Sequence, residues 1–180
     1  MSRTHRPYEL LPYKPEWATQ FDCESTMMRE IMGTYALAIE HIGSTSIPGL
    51  IAKPQIDVLV TVENLDVVPQ FYDVFRNRGY VPRGRDYVDN DDDYITKDAP
   101  DGRRLISIHI FSKDSPQVPA YLEFRDYLRT HREERQLYID IKQNLFIKYR
   151  DNFAAYDSEK GPLIQPIIER AHVWAKSIEK

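Results

Sequence analysis

A single cysteine, no excess of positive charge and no long apolar run set the first limits on this 180-residue chain. With Cys23 alone, no internal disulfide can form, and no cysteine pair or cluster exists to hold zinc or an iron–sulfur centre. That fits a reducing compartment. No stretch is apolar for long enough to span a bilayer, and the opening MSRTHRPYELLPYKPEW lacks the apolar centre of a secretion signal. A soluble, cytoplasmic protein with no membrane partner is expected. The 24 Lys and Arg are outnumbered by 28 Asp and Glu, for a formal net charge of -4. This argues against a broad nucleic-acid surface and leaves room for a local basic pocket that takes one nucleotide. No repeat, low-complexity segment or Gly/Ser linker divides the chain. One domain over 1–180 is expected, large enough to bury roughly 70% of its unfolded surface; a homo-oligomer stays open.

What is present is periodic. Pro15 can open a helix, and Trp17, Phe21, Met28, Ile31 and Met32 trace one apolar face as far as Gly33. Residues 35–42 read as a strand ending at Gly43, and 55–62 alternate Ile56, Val58, Val60 and Val62 on one side. Helical spacing returns over 67–77, and alternation over 104–111 with Ile106, Ile108 and Ile110 inward. The segments 36–42, 55–62 and 104–111 are therefore expected in one sheet. Helices are expected over 118–143 and 162–177, joined by a 149–160 connection that is at most partly helical. Between Asp86 and Asp101, seven aspartates stand against Lys97 alone, which reads as a solvated loop. The alternative, calcium binding over 89–93, lacks the glycine and terminal glutamate of an EF-hand loop. The class is α+β, a small mixed β-sheet packed with helices, with a core over about 13–112 and a helical C-terminal part over about 118–180.

Chemistry concentrates in EHIGSTSIPGLIAKP, residues 40–54, followed at once by QIDVLV. Gly43-Ser44-Thr45 falls in the turn after the first strand. A glycine there lets backbone approach a ligand, and amides and two hydroxyls can donate to phosphate oxygens; the alternative is a turn that merely connects strands. Asp57 lies inside the next strand on the face opposite Ile56, Val58 and Val60, where a magnesium ligand belongs. Glu40 and His41 point to opposite sides, so at most one reaches the site, as a ligand or as a brace for the turn. Lys53 can neutralise a phosphate or be merely solvated. His109 sits among isoleucines, either functional or a satisfied core histidine. Arg125 and Arg129, four residues apart with Asp126 between, can form a fork for an anionic substrate, or belong to a salt-bridged face with Glu123, Glu133 and Glu134.

The run EHIGSTSIPGLIAKPQID resembles the signature of the GrpB family, a group within the nucleotidyltransferase superfamily of the DNA polymerase beta type. The resemblance runs from about Tyr13 to Trp174. It includes Tyr13, Trp17 and Phe21, the Arg78-Gly79-Tyr80 step, the strand reaching His109, the run Phe124 to Arg129 with Tyr138 and Lys142 behind it, and Lys160. It implies a nucleotidyltransferase-like fold with a cleft floored by Ser44, Asp57 and His109 and rimmed by Lys53, Arg125, Arg129 and Lys160. It also implies a divalent metal, magnesium or manganese, at Asp57 with His109 and Glu40 as further candidate ligands. This chain departs from the pattern at two places: Leu59 stands where a second carboxylate would share the face of Asp57, and His109 replaces a third. Two functions follow. One is metal-dependent transfer of a nucleoside monophosphate from a nucleoside triphosphate to a small acceptor, with Asp57 and His109 catalytic and Gly43, Ser44, Thr45, Lys53, Arg125, Arg129 and Lys160 holding substrate. The other is a non-catalytic module binding a nucleotide, a coenzyme or another phosphorylated small molecule, of the kind found beside dephospho-CoA kinase; the chain itself contains no Walker-type P-loop.

Overall fold

Alternating β-branched residues build a five-stranded sheet whose two faces have different chemistry. The computed structural model describes residues 8–85, 87 and 92–178. The strands are β1 Ala38–Ile42, β2 Ile56–Val62, β3 Val81–Gly84, β4 Asp93–Asp98 and β5 Arg104–Ser112. They lie in the order β1-β2-β5-β4-β3, and only β2 and β5 run parallel. The helices are α1 Glu16–Met32, α2 Tyr72–Asn77, α3 Gln117–Thr130, α4 Arg132–Lys148 and α5 Phe153–Ile178. The architecture is α+β with a mixed sheet, as the alternation and helical spacing imply. None of these helices is long and apolar enough to cross a membrane.

Register decides which residues share a face. Val58 and Val60 pair with Ile108 and Ile110, and this side packs on Trp17, Met28, Ile31 and Met32 of α1 and on Phe75 of α2. Every one of these side chains is buried, and a buried aliphatic side chain of this size contributes about 1.5–3 kcal/mol. On the other side Asp57 pairs with Ser107 and Leu59 with His109, and Tyr94 pairs with His109 from β4. Helix α3 covers one end of that face, where Ile42, Leu59 and Phe111 pack against Val118, Tyr121 and Leu122. Helices α3, α4 and α5 bury a separate cluster of their own with Ile47 and Leu50 from the turn after β1.

The structure departs from the sequence reading in five places. Strand β1 begins at Ala38, because Gly33–Tyr35 forms a 3-10 turn. The expected 67–77 helix is a 3-10 segment, Leu65–Phe71, containing Pro69 and followed by the short α2; proline removes an amide that a longer α-helix would need. The expected 118–143 helix breaks at His131, whose backbone is extended. The carbonyls left open there accept from Arg135, which donates to Leu128 and Arg129 oxygens at 2.9 and 3.2 Å. Conversely, α5 continues through Gly161, Pro162 and Pro166, because Phe153 and Tyr156 before them and Ile164 and Ile167 after them are all buried. The largest correction concerns the aspartate-rich segment. Strand β4 occupies part of what reads as a solvated loop, and Asp92 and Asp93 are fully buried. Asp86, Asp89 and Asp91 lie outside the described residues.

Candidate functional site

A cavity of about 610 Å³ opens between the polar face of the sheet and helices α3 and α5. Its floor is a strip of hydrogen-bonded side chains. Gln55 Nε2 donates to Asp57 Oδ1 at 2.5 Å and to Ser107 Oγ at 3.1 Å, Ser107 and Tyr94 hydroxyls meet at 2.7 Å, and Arg104 donates to the Tyr94 oxygen at 2.7 Å and to Asp98. Each side chain of this strip is hydrogen-bonded to the next, so the strip holds Asp57 in one orientation. Gly43 sits directly above it with φ +70°. A Cβ on Gly43 would lie 2.9 Å from Asp57 Cγ and closer still to one carboxylate oxygen. Glycine is required here by both backbone conformation and space.

The turn delivers Ser44 to a basic corner of this cavity. Lys142 of α4 is 3% exposed and donates to Ser44 Oγ at 2.7 Å and to the Ile51 carbonyl at 2.6 Å. Neither partner carries a charge. Burial, reinforced by nearby Lys160 and Lys53, pushes the Lys142 pKa well below the usual ammonium range. Burial also opposes the charge on Lys160, but Tyr138 and Asp157 outweigh it and raise its pKa, with Asp157 in an ion pair at 2.9 Å. Lys53 lies 4.2 Å over the Phe153 ring, a cation–π contact. A side pocket lined by Ser44, Asp57 and all three lysines joins this corner. An anion placed here would gain donors and relieve repulsion between the ammonium groups.

The opposite end of the floor carries His109, whose Nδ1 lies 2.6 Å from Asp92 Oδ2. Aromatic side chains Tyr121, Phe124, Tyr138 and Phe153 form the cavity walls, suited to a flat or apolar ligand portion.

The sequence-derived candidates divide accordingly. Gly43, Ser44, Lys53, Asp57, His109, Arg125 and Lys160 all line the cavity. Thr45 is turned inward: its hydroxyl donates to the Gln55 carbonyl at 3.0 Å and meets His41 Nε2 at 3.0 Å. Glu40 does not reach Asp57, because its carboxylate takes Arg125 at 2.8 Å. Arg125 also binds Asp126 through two nitrogens and the His41 carbonyl. Arg129 caps the Ser46 carbonyl with two donors, at 3.0 and 2.8 Å. The two arginines therefore brace the turn, Arg125 from the cavity wall, and their donors meet protein acceptors where the expected fork would offer them to a ligand. His41, stacked on Phe21 at 4.7 Å, lies on the apolar side, where burial and then Arg129 and Arg125 lower its pKa to about 4.

Several residues of the site have no role in the sequence reading, Lys142 among them although it belongs to the resemblance. Lys142 occupies the apolar stripe of α4 between Tyr138 and Leu145, all three buried, and a lysine on such a stripe is a readable signal. Asp92 was hidden in the aspartate run. Gln55, Ser107 and Tyr94 carry no distinguishing pattern.

A divalent metal finds only a small donor set. Among the described residues no group of three or more His, Cys, Asp or Glu is arranged to hold one, and Leu59, 0% exposed, faces Val118, Tyr121 and Leu122 where a second carboxylate would stand. Asp57 fits an ion that arrives already coordinated by ligand phosphates, the usual magnesium arrangement of one or two carboxylates plus substrate oxygens.

Residues 7–170 match the family described as GrpB protein. The UPF0157 protein YqkA of Bacillus subtilis is 33% identical over 171 residues, covering 95% of this chain and 49% of that protein. The chain thus spans about half the length of this relative. The conserved protein GrpB from Enterococcus faecalis, solved by crystallography, has a TM-score of 0.80 at 30% identity, over 90% of this chain and 98% of the other. A dephospho-CoA kinase of Mycolicibacterium paratuberculosis is 27% identical over 202 residues, 95% of this chain and 47% of the kinase. The Cid1 poly(U) polymerase, solved with MgGTP bound, matches with a TM-score of 0.52 at 12% identity, over 75% of this chain and 44% of the polymerase. The fold is nucleotidyltransferase-like.

Proposed function

The chain belongs to the GrpB family, and from that premise we propose that its cavity binds a nucleoside triphosphate and transfers the nucleoside monophosphate to a small acceptor. The observation that carries this reading is the lysine corner: Lys142, buried and, among the described residues, hydrogen-bonded to uncharged groups, stands with Lys53 and Lys160 around Ser44. Phosphate oxygens would take the Ser44 hydroxyl and the ammonium groups, and the base would lie against the aromatic walls. Asp57, oriented by Gln55 and close under Gly43, would hold magnesium or manganese brought by the phosphates. Such an ion would neutralise charge on the transferring phosphorus. The protein's own contribution is to fix the triphosphate and to exclude water from it.

A second reading shares the same ligand and omits the chemistry. Leu59, packed in an apolar cluster in place of a second carboxylate, favours a module that binds a nucleotide or coenzyme, and the likeness to a dephospho-CoA kinase supports it.

The test uses ATP and GTP as probes. Either, at a hundred times its dissociation constant, should stabilise the fold by roughly 2.7 kcal/mol. Lys142→Met and Lys160→Met should each remove most of that shift. Asp57→Asn should weaken binding with magnesium or manganese present and not in chelator, where the carboxylate only repels phosphate. Pyrophosphate release with hydroxyl acceptors identifies the transferase, and binding without release across a broad panel identifies the module. If no nucleotide changes the melting temperature, both readings fall.

A further inference from the structure

The far end of the cavity contains a pair of side chains that phosphate binding leaves unused. Asp92, immediately before β4, is 0% exposed. Its Oδ2 lies 2.6 Å from His109 Nδ1, and its Oδ1 has no hydrogen-bond partner among the described residues. A buried carboxyl oxygen left without a partner is destabilising, so this arrangement is not what stability alone would select. An ionised Asp92 can only accept, and a neutral His109 facing it would carry its proton on Nδ1 and a lone pair on Nε2. His109 lines the cavity, and its ring lies 4.8 Å from Tyr94 and 5.9 Å from Tyr121. His109, Asp57, Lys53 and Lys160 all line one cavity, with Asp92 behind His109.

We propose that Asp92 and His109 are a proton-accepting dyad for the acceptor, which is a small molecule with a hydroxyl group and a flat or apolar body that packs against Tyr94 and Tyr121. This rests on the nucleotide reading above. The acceptor O–H proton moves to His109 Nε2 as the oxygen forms its bond to the α-phosphorus. The bond from that phosphorus to the bridging oxygen breaks, and pyrophosphate leaves with the electron pair. His109 becomes a cation, with Nδ1–H donated to Asp92. Asp92 touches no substrate; it is a positioning residue that fixes the tautomer, and His109 is the catalytic one. The competing explanation is that the pair only pins the segment entering β4.

Two measurements on the full chain decide between them. Two-bond ¹H–¹⁵N NMR of the labelled wild-type protein should show His109 as the Nδ1–H tautomer, with a protected Nδ1 proton that disappears in Asp92→Asn. An Nε2–H tautomer overturns the proposal whatever the activity. In magnesium- or manganese-dependent pyrophosphate release from ATP, Asp92→Asn and His109→Gln should each lower kcat by about 100-fold, with KM for ATP and the ATP-induced melting shift unchanged. If both variants turn over within twofold of wild type, the dyad is structural and the proposal falls while the nucleotide site stands. A chain that binds ATP but releases no pyrophosphate with any hydroxyl acceptor also overturns it. If ATP does not bind at all, the nucleotide reading has failed, and the proton-transfer role falls with it even where the tautomer is correct.

Discussion

The two faces of the central sheet are made by the same strands and obey opposite rules. On β2, Val58 and Val60 point into a dry layer against α1, while Asp57, one residue away, points into a cavity floored by hydrogen bonds. On β5 the same division separates Ile108 from Ser107 and His109. The apolar face is held by packing, so its residues matter through volume. On the polar face each side chain matters through the position of its donors and acceptors. What a substitution disrupts is therefore expected to depend on the parity of its position more than on its distance from the cavity.

The sharpest way to break this comparison is to substitute one residue on each face. Ile108→Ala, in the fully buried layer, should cost about 3–4 kcal/mol of unfolding free energy in urea and leave the nucleotide-induced melting shift intact. Asp57→Asn on the other face should cost under about 1 kcal/mol, since an amide oxygen can still accept from Gln55, while removing the metal-dependent part of nucleotide binding. If the two variants lose stability equally, the faces do not divide as described.

His41 tests the edge of the apolar face. Its pKa is lowered to about 4 from the usual 6.5, chiefly by burial, so folding favours the neutral ring. Its contribution is fully present above pH 6.5 and is lost as the pH falls through about 4. It amounts to roughly 3 kcal/mol at most. Urea denaturation of wild type and His41→Leu across that window should show a steeper loss in wild type. Parallel curves would mean that His41 is not held neutral.

Gly43→Ala has a smaller effect on stability and acts on the polar face, above Asp57. A left-handed φ of +70° at a non-glycine residue costs about 1–3 kcal/mol, and the new methyl must displace the Asp57 carboxylate. Melting should fall moderately and nucleotide binding should be lost outright. A variant that melts lower yet binds ATP normally would show that the close approach of turn and carboxylate is not needed for the ligand.

Much of this was legible in the residues. Alternation alone located β2 and β5 and put Asp57 opposite Val58 and Val60, because side chains on a strand have a period of two whatever they pack against. The Gly-Ser-Thr turn was readable because few residues other than glycine suit such a backbone. Strand β4 was not, because aspartates and turn formers gave no sign that a neighbouring strand would bury it, and β3, four residues with a proline and a glycine, is too short for alternation to show. The protein partners of Thr45, Glu40 and Arg129 were not legible for a related reason: sequence shows that a polar group needs a partner, not which partner it finds.

Local periodicity and turn chemistry by themselves determined the class of fold, the strand that carries Asp57 and the need for glycine above it. The tertiary structure decided which charges meet. Lys142 lies 98 residues from Ser44 along the chain and Asp92 lies 17 residues from His109; each pair exists only because helix packing or strand register closes the gap. Local propensity has no means of recording that choice, since hydrogen bonds and ion pairs act over a few ångströms and are indifferent to distance along the sequence.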